Sequence, residues 1–495
     1  MRIDGIDFAI IVAYLAGVTL FGIHFRRRQT SLREYFLSSR TAPWWALAGS
    51  IVATETSTLT IISTPGIAYA SDLGFLQLVM GYLIARVIIC LIFIPHYFRG
   101  EFYTAYQFIE KRFGERMKAA TATVFLGTRA LAEGVRINAI GLVVSVAFGT
   151  GETVSVAIMT ALTILYTFAG GMRAVIWTDM VQLVLYLGGS AIAFFLLLHK
   201  IPGGWAHVTQ VAAVSGHKLQ IFHFNFSLTE SYTFWAGIIG GTFLTMASHG
   251  TDQTMVQRLL AARNERESKA ALLASGVIIF VQFALFLVIG VMLYVFARHT
   301  GLLAPGGDTD RLFPAFIVRD LPVGLSGLVL ASIFAVAMSN ASGSLNSLAS
   351  STIVDFKRLR GERRLDDPSL VRLSRWVTVG WGLVLGLFGL VHWGVVLVAG
   401  LTIASITYGG LLGVFLLAIA DRRATPRGAL SGLLTGLGAM VAVQYAPRIA
   451  GFFGMELHET IAWTWYVLLG TIITFSVGWM VSRFDHAPAQ PTEVQ

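Results

Sequence analysis

Apolar runs, each long enough to cross a bilayer, repeat along this chain. Stretches free of Asp, Glu, Lys and Arg cover residues 270–297, 321–354, 376–420, 428–447 and 460–482. A hydrocarbon core about 30 Å thick takes roughly 20 residues of helix to cross. The pattern predicts thirteen spans: 5–24, 44–70, 74–98, 118–148, 152–170, 173–199, 232–251, 270–298, 322–355, 373–392, 395–420, 427–446 and 461–482. The 376–420 run holds two helices, turning near His392-Trp393-Gly394. The first run extends to about Ile23, longer than a signal-peptide core, and reads as a retained span. No loop is large enough for a second folded unit. The expectation is an all-α polytopic membrane protein with one transmembrane domain over 1–483 and a short tail, 484–495.

Composition agrees. The chain has 495 residues, 55% apolar and only 13% charged, with a mean hydropathy of +0.70. Soluble domains carry about 25% charged residues. Half that charge cannot solvate several globular surfaces, which excludes a soluble enzyme, a disordered chain and a nucleic-acid binder. The net charge of +9 matters through where it sits. With the N-terminus outside, and residues at span ends counted with the adjoining loop, 26 of the 36 Lys and Arg residues fall in inner segments, 7 in outer ones and 3 deep within spans. Basic residues mark cytoplasmic loops, so the N-terminus is expected outside, the C-terminus in the cytoplasm, and the membrane is the plasma (inner) membrane. The longest outer loop, about 200–231, carries aromatics and histidines and is expected to cap the outer mouth. A single cysteine, Cys90, allows no intramolecular disulfide, and no nucleotide-binding glycine loop or zinc motif is present.

Candidate chemistry sits where helices are expected to break. Span two runs Ala53-Thr54-Glu55-Thr56-Ser57-Thr58-Leu59-Thr60, then Ser63-Thr64-Pro65-Gly66. Span seven is rich in glycine and hydroxyls, from Gly237 through Thr242 and Thr245 to Asp252-Gln253. Membrane backbone leaves helical form only where protein or a water-filled cavity satisfies it, and paired interruptions five spans apart suit an inverted repeat. Small residues that only let helices pack closely are the alternative, but packing needs no carboxylate such as Glu55. Span nine places residues 339, 343, 346 and 350 on one helical face, with Ser339, Asn346 and Ser350 supplying oxygen and Ser342 and Asn340 beside them. Neutral oxygens suit a monovalent cation that must bind and leave. Ionisable groups within spans are functional candidates: Glu55, Asp179, Arg86, His249, and Arg129, Glu133 and Arg136 on one face of span four. Glu133 is expected to pair with one of those arginines and leave the other for solute.

These residues resemble the sodium:solute symporter family, which includes sodium/glucose, sodium/proline and sodium/sialic acid cotransporters. The matching segments run in family order: Glu34-Tyr35-Phe36-Leu37 through Pro43-Trp44-Trp45, Tyr106-Gln107-Phe108-Ile109-Glu110-Lys111-Arg112-Phe113-Gly114, Gly170-Gly171-Met172-Arg173 through Asp179, Thr251-Asp252-Gln253-Thr254-Met255-Val256-Gln257-Arg258, and Ala337-Met338-Ser339 through Asn346-Ser347. The resemblance implies a leucine-transporter-like fold. Its five-plus-five inverted repeat (about 44–199 and 232–420) follows one extra N-terminal helix and precedes two extra C-terminal ones. It implies a main sodium site at Ala53, Thr56, Val336, Ser339 and Asn340, where Asn340 replaces the usual Ser or Thr. A second site, found in some members, maps to Asp179, Ser339 and Ser342, but Gly343 stands where a hydroxyl is expected. Glu55, Ser57, Thr60, Gln77, Arg129, Arg136, Thr245 and Gln282 are the implied solute residues. The implied function is sodium-coupled import of a small sugar, sialic acid, amino acid or carboxylate by alternating access, with no enzymatic step. Proton coupling through Glu55 and His249, or a non-transporting sensor, are the alternatives.

Overall fold

Apolar spans separated by short polar turns fold into a bundle of helices in the computed structural model, which describes residues 4–24, 36, 40–100, 102–301, 308–356, 368–391, 393, 396–455 and 460–485. The basic runs Arg26–Arg28 and Lys357–Arg364, the turn residues His392 and Gly394, Glu34, Tyr35 and Leu37, and the tail beyond residue 485 lie outside the described residues.

The N-terminal helix α1 (Gly5–His24) precedes a broken span, α2 (Trp44–Glu55) and α3 (Thr58–Ala70), whose halves bend by 60°. Then come α4 (Phe75–Phe98), the amphipathic α5 (Ala105–Phe113), α6 (Glu115–Phe148) and α7 (Glu152–Lys200). After the helix α8 (Gly204–Val214), span seven is a π turn, Ala236–Gly240, leading into α9 (Gly241–Gly250). It breaks at Thr251-Asp252 before α10 (Gln253–Leu260). The chain continues through α11 (Glu265–Thr300), α12 (Leu312–Asp320), α13 (Leu325–Ser351), α14 (Pro368–Gly389), α15 (Val396–Ala420), α16 (Pro426–Gln444), α17 (Ala446–Phe452) and α18 (Tyr466–Phe484). Among the described residues, nine helices are long and apolar enough to cross a membrane and the bent pair adds a tenth. The shorter apolar helices Gly5–Phe21 and Glu152–Leu165, and span seven, complete the thirteen expected positions.

Helical residues run from Glu152 to Lys200, where a turn between two spans is expected at Gly170-Gly171-Met172. At 1.5 Å per residue a straight helix of that length would be about 74 Å long, more than twice the hydrocarbon core. Both its ends lie on one side of the membrane. Glu152 pairs with Arg311 at 2.7 Å, beside Thr309, which packs on Gly66 near the end of α3. The chain leaving Lys200 returns to that same end, where Lys218 Nζ donates to the carbonyls of Tyr69 and Ser71 at 2.8 and 2.9 Å. The run is therefore two spans, an apolar helix Glu152–Leu165 and a second span Met172–Lys200, as expected.

Close helix contact holds the halves together. A Cβ on Gly241 would stand 2.3 Å from the Leu78 carbonyl, and one on Gly290 would stand 2.2 Å from the Pro65 carbonyl. Only glycine lets α9 meet α4, and α11 meet α3, backbone to backbone. Asp7 of α1 is buried and accepts from the amides of Gly324 and Gly327 at 2.7 and 2.8 Å, so its carboxylate caps the start of α13.

Candidate functional site

The break in span two is built by local chemistry. Thr56 and Ser57 take extended conformations, and Ser57 and Thr60 cap each other reciprocally at the start of α3. The amide of Ser57 donates to Thr60 Oγ1 at 3.3 Å instead of continuing the ladder of α2. The carbonyls of Ala53 and Thr56 are thereby released towards span nine. Asn340 Nδ2 of α13 donates to Thr56 O at 2.5 Å and Val336 O at 3.1 Å, and lies 3.4 Å from Ala53 O. Ser339 Oγ lies 3.4 Å from the same Ala53 carbonyl. All five residues expected at the main cation site meet at this point.

Of the second expected set, Asp179 and Ser339 meet directly, while Ser342 bonds within its own helix. Asp179 accepts from Ser50 Oγ and Ser339 Oγ, both at 2.5 Å, and from Arg258 Nη2 at 3.2 Å. Ser342 Oγ instead donates to the Ser339 carbonyl of its own helix, at 3.0 Å. A Cβ at Gly343 would come within 2.7 Å of Arg258 Nη2, so the missing side chain makes room for the guanidinium. A tethered cation already partners this carboxylate. Arg258 was visible in sequence only as the end of a motif, and nothing there signalled that its side chain would reach Asp179.

Beside the break lies a cavity of about 120 Å³ with a polar wall. Glu55, Ser57, Thr60, Thr245, Arg129 and Arg136 line it, as expected for solute contacts. Tyr82, His249, Asp252 and Tyr408 line it too, and were not singled out as solute residues. Glu55 is paired with Arg86 of α4, and His249 Nε2 lies 3.3 Å from the same carboxylate oxygen. On α6, Glu133 pairs with Arg136 at 3.0 Å. Arg129 Nε donates to Ser344 at 2.9 Å, while its Nη2 is buried with no hydrogen-bond partner among the described residues. Phe75 and Phe283, stacked with centroids 5.5 Å apart, add an aromatic wall.

Two expected solute residues lie elsewhere. Gln77 holds the loop before span seven, donating to Gly74 O and Tyr232 O and accepting from the His223 amide at 3.0 Å. Gln282 Nε2 donates to Thr56 Oγ1 at 2.8 Å, and Tyr186 OH lies 3.2 Å from both partners. Gln282 therefore supports the broken backbone from behind. Neither glutamine lines the cavity, because hydropathy shows that a polar group is inside a span but not which neighbour it faces.

At α10, side-chain hydrogen bonds tie neighbouring segments together. Gln257 donates to Phe36 O at 2.7 Å, and Gln253 bridges Tyr103 O and the Ala105 amide at 3.1 and 2.8 Å. The Thr254 and Ser347 hydroxyls meet at 2.9 Å.

A model of the sodium:solute symporter family matches residues 35–436, most of the chain. The chain belongs to that family. This symporter is 28% identical to the sodium/sialic acid symporter SiaT of Proteus mirabilis (strain HI4320) over 90% of this chain and 91% of that one. It is likewise 28% identical to the human sodium/iodide cotransporter, over 89% and 70%. A solved structure of a Na+-coupled sialic acid symporter in a substrate-bound, outward-open state superposes with a TM-score of 0.87 at 27% identity, covering 99% of this chain and 100% of that one. A nucleobase-cation-symport-1 family transporter shares the fold at a TM-score of 0.54 and 14% identity, over 91% and 94% of the chains. The expected leucine-transporter-like fold and sodium-coupled solute symport are what the family carries, with sodium and a small solute as cargo in a multi-pass membrane protein. The relatives are transporters, and proton coupling or a sensor role gains no support from them.

Proposed function

We propose that this symporter imports a small organic anion, one carboxylate per cycle, together with one sodium ion at Ala53, Thr56, Val336, Ser339 and Asn340. The observation that carries the reading is Arg129: a guanidinium facing the cavity with one nitrogen, Nη2, buried and unpartnered among the described residues. A buried donor without an acceptor costs about 1–3 kcal/mol, more when charged, so the position suits a ligand that brings an acceptor. A planar guanidinium matches a carboxylate with two parallel hydrogen bonds. Glu55 is neutralised by Arg86, so the cavity is not dominated by its negative charge. Ser57, Thr60, Thr245 and the aromatic wall of Phe75 and Phe283 would hold the remainder of the solute. Relatives named for sialic acid, iodide and monocarboxylates all carry anions.

The cycle follows from the geometry. Sodium joins the break between α2 and α3 to α13, and the same break lines the solute cavity, so each cargo favours the state that binds the other. Occlusion and rocking of the repeats, about 44–199 against about 232–420, then open the inner end, which the side chains of Gln253 and Gln257 hold shut. Inward sodium movement contributes about 2.3 kcal/mol per charge per 100 mV of potential. The solute crosses unchanged. Residues 1–483 act as one unit in the plasma (inner) membrane, N-terminus outside, with the tail 484–495 in the cytoplasm. Arg258 on Asp179 supports one sodium rather than two.

Proteoliposomes loaded with choline chloride and diluted into sodium chloride test the reading. Uptake is measured for N-acetylneuraminate, short monocarboxylates, neutral sugars and zwitterionic amino acids. Concentrative uptake of one of the anions only is expected. Uptake of a neutral sugar with no anion competing would overturn the anion assignment.

A further inference from the structure

Asn340 Nδ2 has three carbonyl oxygens within 3.4 Å, those of Ala53, Thr56 and Val336. An amide nitrogen carries two hydrogens, so this is one acceptor more than it can satisfy. Carbonyls converging on a point are how a protein surrounds a small hard cation. Here the partial positive charge of an NH2 group answers that field. The other end of the side chain agrees. Asn340 is only 1% exposed, and its Oδ1 is buried without a hydrogen-bond partner among the described residues. The reversed amide would press Oδ1 against three acceptor oxygens, so the carbonyl cluster itself selects the inward nitrogen and leaves the oxygen unsatisfied. A serine or threonine here could not do this, because its hydroxyl brings one hydrogen.

We propose that the Asn340 amide is a tethered stand-in for the transported sodium ion. The proposal rests on the reading of Ala53, Thr56, Val336 and Ser339 as the sodium site. Without sodium, Nδ2 ties the broken span to α13. Sodium enters by displacing that nitrogen, and rotation of the amide about its Cβ–Cγ bond brings the unpartnered Oδ1 into the ligand set. Two consequences follow. Sodium competes with an internal donor, so it binds more weakly than it would beside a hydroxyl. The fold also depends less on sodium, because the amide braces the same carbonyls. Asn340 thus sets the sodium concentration at which this symporter engages its gradient.

The test is a sodium chloride titration of the purified full-length protein in detergent, with choline chloride holding ionic strength, read by thermal unfolding midpoint. Wild type, Asn340→Ser, Asn340→Asp and Ser339→Ala are purified in sodium and exchanged into choline. Asn340→Ser supplies an oxygen with one hydrogen, and Asn340→Asp keeps the shape without the donor. Both are expected to reach half their sodium-induced shift at a concentration at least tenfold below wild type. Both are also expected to lose more stability than wild type in choline, up to unfolding on exchange. A half-saturating concentration equal to or above wild type for both variants overturns the proposal, as does failure of both to fold even in sodium. Ser339→Ala separates the two levels. If it leaves the sodium response unchanged, the site reading itself fails. If it weakens the response while Asn340→Ser does not tighten it, the site stands and the stand-in role falls.

Discussion

Glu133 takes Arg136 as its ion partner at 3.0 Å, and Ser344 stands between that carboxylate and Arg129, donating to one at 2.8 Å and accepting from the other at 2.9 Å. The two arginines, seven residues apart on α6, therefore have different jobs. Arg136 is committed to structure, and Arg129 has a nitrogen to spare. Arg129→Ala is expected to raise the half-saturating concentration of a carboxylate solute at least tenfold at saturating sodium, about 1.4 kcal/mol. Arg129→Lys is expected to restore it only in part, since an ammonium lacks the planar fork. Uptake kinetics in proteoliposomes check both.

Arg86 and Glu55 form a pair with side chains 1% and 11% exposed. Removing either partner alone strands the other in a poorly solvated place, at a cost of about 3–5 kcal/mol. Arg86→Met and Glu55→Gln are each expected to lower the thermal midpoint sharply, and the double variant to recover most of the loss. A double-mutant cycle in thermal stability reads the coupling. Additive effects of the two substitutions would contradict the pairing.

Gln282 and Gln77 should separate in their effects although both are buried amides within spans. Gln282→Ala removes the support of Thr56 and is expected to raise the half-saturating sodium several-fold while leaving solute affinity at saturating sodium nearly unchanged. Gln77→Ala is expected to leave sodium dependence alone and loosen the loop around His223, seen as faster proteolysis of residues 217–231.

The thirteen spans were legible because a membrane-crossing helix declares itself by length and apolarity alone, and the break at Thr56-Ser57 because a carboxylate and clustered hydroxyls are costly in lipid. Pairing was harder. Arg258 reaching Asp179, Gln282 reaching Thr56 and Asp7 capping α13 join residues 79, 226 and more than 300 positions apart. Periodicity fixes which residues share a face of one helix, but not which helix that face meets.

The inner latch is also testable. Gln253 and Gln257 use side-chain amides to hold the Tyr103, Ala105 and Phe36 backbones. Cys90, the single cysteine, is buried, so Cys90→Ala gives a clean background for a reporter at Ser350, also buried, on α13. In Ser350→Cys, adding Gln253→Ala and Gln257→Ala is expected to speed maleimide labelling from the inner side several-fold. An unchanged rate would mean the latch lies elsewhere.

The central claim is a sodium site formed where the released carbonyls of Ala53 and Thr56 meet Ser339. Radiosodium binding to the purified protein, without solute, tests it most directly through Ser339→Ala. At least a tenfold weaker binding than wild type is the expected result. Sodium binding by Ser339→Ala that matches wild type would place the ion somewhere else and contradict the account.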